Sequence, residues 1–143
     1  MVTFEKSVFI NRPQQEVFDF VMDLNNDAKW QSSIEAVEQI SVETNGVGST
    51  WRYKVKFLGR EIEADTEITS FDPPNQASVK SSGMVPFENT YTFETMDNGT
   101  QLTLSGQAEV GGFFKLAEGM VKKQFKKQMD ADAVSLKKLL EAG

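Results

Sequence analysis

The chain contains no cysteine and no histidine. Without cysteine there is no disulfide, no thiolate metal site and no thiol nucleophile. Without histidine the usual proton shuttle near neutral pH is missing, and so is the commonest metal ligand. The two absences together remove every Ser/His/Asp and Cys/His catalytic set. No HExxH or CxxC pattern occurs, and the glycines between Gly106 and Gly112 form no phosphate loop in a strand–helix context. Positive charge is also short: 15 Lys and Arg stand against 21 Asp and Glu, a formal net charge of −6. Such a chain repels phosphate backbones, so nucleic acid is not an expected partner. No apolar run approaches the roughly 18 residues needed to span a bilayer. The segment Met1-Val2-Thr3-Phe4-Glu5-Lys6 has neither the charged head nor the apolar core of a signal peptide. The expectation is a cytoplasmic protein with no integral membrane segment, no metal and no cofactor.

What the chain does have is length and pattern. Its 143 residues suit one domain over 1–143, large enough for a core of its own. Phe4, Val8 and Ile10 share the parity of a half-buried strand, with Lys6 as the exception. Pro13 suits the first turn of a helix, and Val17, Phe20, Val21 and Leu24 form one helical face. Asn25-Asn26-Asp27 ends that helix, and Asp27 to Trp30 reads as a further short turn.

From Ile34 the period becomes two. Ile34, Ala36, Ile40 and Val42 define a second strand, followed by an Asn45-Gly46 turn. Trp51, Tyr53, Val55 and Phe57 face inward on the third, with Arg52, Lys54 and Lys56 outward. Ile62, Ala64, Thr66 and Ile68 face inward on the fourth, with Glu61, Glu63, Asp65 and Glu67 outward. Basic and acidic outer faces make these two strands natural cross-strand neighbours. Asp72-Pro73-Pro74-Asn75 is a hard turn. The inward positions then continue with Ala77, Val79 and Ser81, with Phe87, Asn89, Tyr91 and Phe93, and with Leu102, Leu104, Gly106, Ala108 and Val110. Phe113 to about Ala142 reads as one long helix with an apolar stripe through Phe114, Ala117, Val121, Phe125, Met129, Ala133, Leu136 and Leu140. Its lysines read as a solvated face, since the chain as a whole is acidic. This order predicts an α+β fold: a curved antiparallel sheet of seven strands closed by the C-terminal helix.

In a meander alternate connections share an end. One end collects tight polar turns. The other collects Leu58, Met84, Val85 and Phe113, with Trp30 beside them. An apolar cluster drawn from separate loops fits the mouth of a pocket. The alternative is that these side chains plug the end of a filled core.

The order β-α-α-β6-α and several local patterns resemble the START-like, helix-grip (SRPBCC) superfamily, and within it the polyketide cyclase/dehydrase and lipid-transport branch. The residues that carry the resemblance are Val8 to Phe18, a strand entering a proline-opened helix, then Trp30, then Glu67 to Pro74 with its double proline. Asn98-Gly99-Thr100 before an alternating strand, and the long final helix, complete it. The resemblance implies a cavity between sheet and last helix for lipids, sterols, polyketides or other apolar ligands. It does not imply a reaction, because fold does not fix function.

The expected pocket wall comprises Trp30, Trp51, Tyr53, Val55, Phe57, Ala64, Thr66, Val79, Ser81, Phe87, Asn89, Tyr91, Gly106 and Ala108. From the helix come Phe113, Phe114, Ala117, Met120, Val121 and Gln124, with Leu58, Met84 and Val85 at the mouth. Of its polar groups Asn89 needs a partner most, as an amide between Phe87 and Tyr91 on the inner face. The hydroxyls of Tyr53 and Tyr91 read as reaching solvent at the edge. Glu38 faces inward by parity unless a bulge turns it out. Asp23 and Asp27 lack the glycine and glutamate spacing of a calcium loop and read as a solvated turn. Three functions stay open: a non-enzymatic binder of a hydrophobic small molecule, a cyclase or dehydratase acting on a polyketide-like substrate, and a protein-interaction or co-chaperone module.

Overall fold

The structure is a computed structural model and describes residues 2–41, 46–57, 59–83, 86–109 and 118–142. Strand β1 (Val2–Ile10) leads into helix α1 (Gln14–Met22), a 3-10 turn (Leu24–Asn26) and the short helix α2 (Asp27–Trp30). Six strands follow: β2 (Ile34–Gln39), β3 (Thr50–Phe57), β4 (Arg60–Asp72), β5 (Gln76–Ser82), β6 (Phe87–Met96) and β7 (Gly99–Ala108). Helix α3 (Glu118–Ala142) follows them. The strands form one antiparallel sheet in the order β1-β7-β6-β5-β4-β3-β2. This is the expected α+β helix-grip architecture, with α3 packed on β1 and on α2. Among the described residues no helix is long and apolar enough to cross a membrane.

The charge pattern sets the β3–β4 register. Arg52 lies opposite Asp65, Lys54 opposite Glu63 and Lys56 opposite Glu61. Arg52 Nε reaches Asp65 at 3.0 Å and Glu63 at 3.4 Å. The odd Lys6 of β1 reaches Asp130 of α3 at 3.1 Å, which explains a lysine at that parity. In β2 a bulge between Ile34 and Ala36 shifts the register. It turns Ala36 out and Val37 in, and leaves Glu38 exposed opposite Arg52. The expected inward Ala36 is thereby corrected, and one inserted residue is the reason. Strand β2 also ends at Gln39, so Ile40 lies outside it and is exposed.

One part of the grip is solid. Phe18 of α1 packs edge-on against Phe71 at 5.4 Å and Phe93 at 5.0 Å. Trp51, Leu102, Leu136 and Leu140 belong to the same core. Such T-shaped pairs stabilise by about 0.5–1.5 kcal/mol beyond their burial. The side chain of Gln14 locks α1 in place by donating to the carbonyls of Pro74 and Phe93.

Candidate functional site

Between the concave face of the sheet, the α2 turn and the middle of α3 lies a cavity of about 160 Å³. Ten residues expected on the wall line it: Trp30, Tyr53, Val55, Ala64, Thr66, Val79, Ser81, Phe87, Asn89 and Tyr91. Alternation along β3 to β6 places nine of them there, because every second side chain of a strand points to one face, and Trp30 comes from α2. The wall also holds residues that were not expected: Phe4, Leu24, Asp27, Gln31, Ser33, Ile34, Leu104, Phe125, Gln128, Met129 and Asp132.

Six expected positions are elsewhere. Trp51 is fully buried in the core and does not line the cavity. Ala108 is buried away from the cavity. Val121 packs with Val2 in a small cluster of its own. Gly106 is on the inner face, but the ring of Phe4 lies across it, and a Cβ there would stand 2.8 Å from Phe4 Cζ. Met120 is 64% exposed, because a helical residue is turned about 100° from its neighbour and Val121 takes the inner direction. Gln124 lies in a surface groove with Ser32, Lys56 and Lys127. Phe113, Phe114, Ala117, Leu58, Met84 and Val85 lie outside the described residues, as does the side chain of Phe57; so do Val42, Val110 and the expected helix start.

The polar end of the cavity is built around Asp27. This residue was expected in a solvated turn; it is 3% exposed. Asp23 caps the 3-10 turn by accepting from the Asn25 N–H, and the chain then folds inward so that Leu24, Asp27 and Trp30 are all buried. The hydroxyl of Tyr53 donates to Asp27 Oδ2 at 2.5 Å, so Tyr53 points inward and not to the expected solvent edge. Asp27 Oδ1 is buried and has no partner among the described residues. The same holds for Trp30 Nε1 and Asn89 Oδ1, so three wall residues present an unmet hydrogen-bonding atom. A fourth, Trp51 Nε1, lies off the cavity. Buried polar atoms are almost always paired, and the three on the cavity wall are where a ligand or water can reach them.

Burial pushes the Asp27 carboxyl up from 3.8 to about 8; the Tyr53 hydrogen bond opposes this and the Asp23 charge adds to it. The Trp30 indole N–H faces the carboxyl closely enough to favour its charged form, without reaching hydrogen-bond geometry. Burial, then the Asp27 charge, raises the phenols of Tyr53 and Tyr91, so both keep their protons. A second carboxyl, Asp132 of α3, accepts from the Ser32 N–H at 3.0 Å and the Ser32 hydroxyl at 3.3 Å. Burial raises it as well, against those two hydrogen bonds.

The model of the family described as polyketide cyclase/dehydrase and lipid transport matches residues 1–141. No curated protein matches the chain by sequence. Among solved structures, a conserved protein from Geobacillus kaustophilus is 18% identical with a TM-score of 0.84, over 99% of this chain and 96% of that one. A START superfamily protein from Mycobacterium smegmatis is 17% identical with a TM-score of 0.81, over 98% and 97%. The Zhui aromatase/cyclase from a Streptomyces species is 17% identical with a TM-score of 0.77, over 97% and 93%. At these identities the likeness is one of fold.

Proposed function

The chain belongs to the polyketide cyclase/dehydrase and lipid-transport family, and from that premise we propose that it is a single domain that binds a small apolar molecule with one polar end. The observation that carries this reading is the cavity itself, apolar over most of its wall and carrying three polar atoms that are unmet among the described residues. A few polar groups in an apolar hollow are how such sites orient a ligand. Its volume is close to that of a cavity that admits benzene. The test is binding of a neutral apolar fluorophore such as N-phenylnaphthylamine, compared with an Ala64→Phe variant. Ala64 lines the cavity, so a phenyl ring there fills space that is empty. Binding should weaken by about tenfold or more, a change of about 1.4 kcal/mol. Equal binding by both proteins, or none by the wild type, would refute the proposal.

Asp27 favours a second reading, an enzyme. A carboxyl that stays protonated at pH 7 inside an apolar cavity can act as a general acid. It would give its proton to a leaving hydroxyl, which departs as water, and recover the proton released from the adjacent carbon. The assay is loss of water from an aryl β-hydroxy ketone, read by enone absorbance. Identical rates for wild type and Asp27→Asn would end this reading. The interaction-module reading has no observation in its favour.

A further inference from the structure

Two carboxyl groups, Asp27 and Asp132, share this cavity with six aromatic rings, and no lysine or arginine is found among the described residues of its wall. We propose that the ligand carries a basic nitrogen, its ammonium seated against Asp27 and its apolar body among the rings. This rests on the reading that the cavity binds an apolar small molecule, and it names the class of that molecule.

Three observations converge on a cation. Asp27 Oδ2 is already engaged by Tyr53, so the acceptor still open is Oδ1, buried and without a hydrogen bond among the described residues although the Trp30 indole N–H faces the carboxyl. Asn89 Oδ1 is a further acceptor on the same wall without a partner among the described residues. The rings of Phe4, Trp30, Tyr53, Phe87, Tyr91 and Phe125 line the same space, and ring faces attract cations, most strongly where water is excluded. A carboxylate-headed lipid finds the opposite. Its anion would face Asp27 and Asp132, with no cation from the described wall to pair it. Burying an ammonium is unfavourable unless a charge opposes it, and Asp27 supplies that charge.

Proton balance makes the proposal testable. The groups around Asp27 are Asp23 in the preceding turn, Tyr53 from β3 and Tyr91 from β6; Asp132 from α3 lines the same cavity. None is cationic, so in the empty protein Asp27 keeps its proton up to about pH 8. An ammonium ligand draws out the carboxylate, and one proton leaves for solvent. Amine affinity therefore rises with pH until Asp27 is ionised in the empty cavity. A neutral ligand that accepts a hydrogen bond from the protonated carboxyl behaves oppositely and weakens above about pH 8.

The experiment is calorimetric titration of the full chain with phenylbutylamine, phenylbutanol and phenylbutyrate, which share one apolar body. At about pH 9 the amine should bind about tenfold tighter than the alcohol, and the carboxylate weakest. Between about pH 7 and pH 9 the amine's affinity should rise about tenfold, with a proton released at the lower pH. Asp27→Asn should weaken the amine far more than the alcohol. An alcohol or carboxylate that binds as well as the amine, or an amine affinity that falls with pH, overturns the proposal and leaves the cavity reading standing. Failure of all three to bind overturns both. If Asp27→Asn does not fold, the sign of the wild-type pH dependence decides alone.

Discussion

Replacing Asp27 with asparagine should stabilise the empty protein, by an amount that pH controls. In the unfolded chain the carboxyl titrates near 3.8, and in the cavity near 8. Below the lower value both states hold the proton and the residue has no effect. Between the two values the folded protein keeps a proton that the unfolded chain has lost, so stability falls as pH rises. Above about pH 8 both states are ionised and the loss levels off. At about 1.4 kcal/mol per unit, the penalty is about 4 kcal/mol at pH 7 and about 5–6 kcal/mol at the plateau. That is a large share of the ~5–15 kcal/mol that holds a domain together. Asparagine removes the penalty and still offers an oxygen to the Tyr53 hydroxyl. Asp132 titrates in both proteins and cancels in the difference. Urea unfolding of the two proteins from about pH 5.5 to about pH 8.5 measures the gap directly. It should widen by about 1.4 kcal/mol per unit and flatten near pH 8, and the flattening point reads the Asp27 pKa. A gap that does not change with pH, or an asparagine variant less stable throughout, would refute the burial argument.

Two further outcomes follow from local geometry. Gly106→Ala forces a Cβ against the Glu88 carbonyl oxygen and the Phe4 ring, and the strand carbonyl cannot move aside. The variant should lose about 2 kcal/mol, seen as a Tm lower by several degrees, and an unchanged Tm would show that the contact relaxes. Glu141 accepts from the Asn11 N–H at 2.8 Å and from Lys137 at 2.9 Å, and these contacts hold its carboxyl below the usual range. A depressed carboxyl stabilises above its unfolded pKa and stops doing so as pH falls through its folded one. Hydrogen exchange at the Asn11 amide should therefore quicken in Glu141→Ala at neutral pH. Equal protection in both proteins would refute the link between α3 and the start of α1.

Most of the fold was legible because periodicity records what folding needs. The period of two in β3 to β6 placed nine of the expected cavity residues on the inner face, and the stripe of α3 placed Val121, Ala133, Leu136 and Leu140. Periodicity does not say whether an inner face meets neighbours or empty space. Trp51 and Tyr53 share a face and a strand, yet Trp51 meets the packed core and Tyr53 meets the cavity. The difference depends on which side chains of other elements pack over each position, and their volumes combine only in the folded chain. The bulge in β2 is a second limit, since one extra residue reverses parity without altering composition.

Asp27 and Asp132 escaped the pattern for a deeper reason. A signal of folding cannot mark residues that oppose it, and burial raises the energy of both carboxylates. Each is visible instead as an interruption. Asp27 stands three residues from Leu24 and three from Trp30, on the face that those apolar residues share. Asp132 stands three after Met129 and four before Leu136, inside the stripe of α3. A chain under selection for stability alone would fill both places with apolar residues. Natural proteins keep destabilising groups where activity requires them. The two breaks in otherwise apolar faces converge on one cavity, and that convergence is the strongest argument that the hollow is a site and not a packing defect.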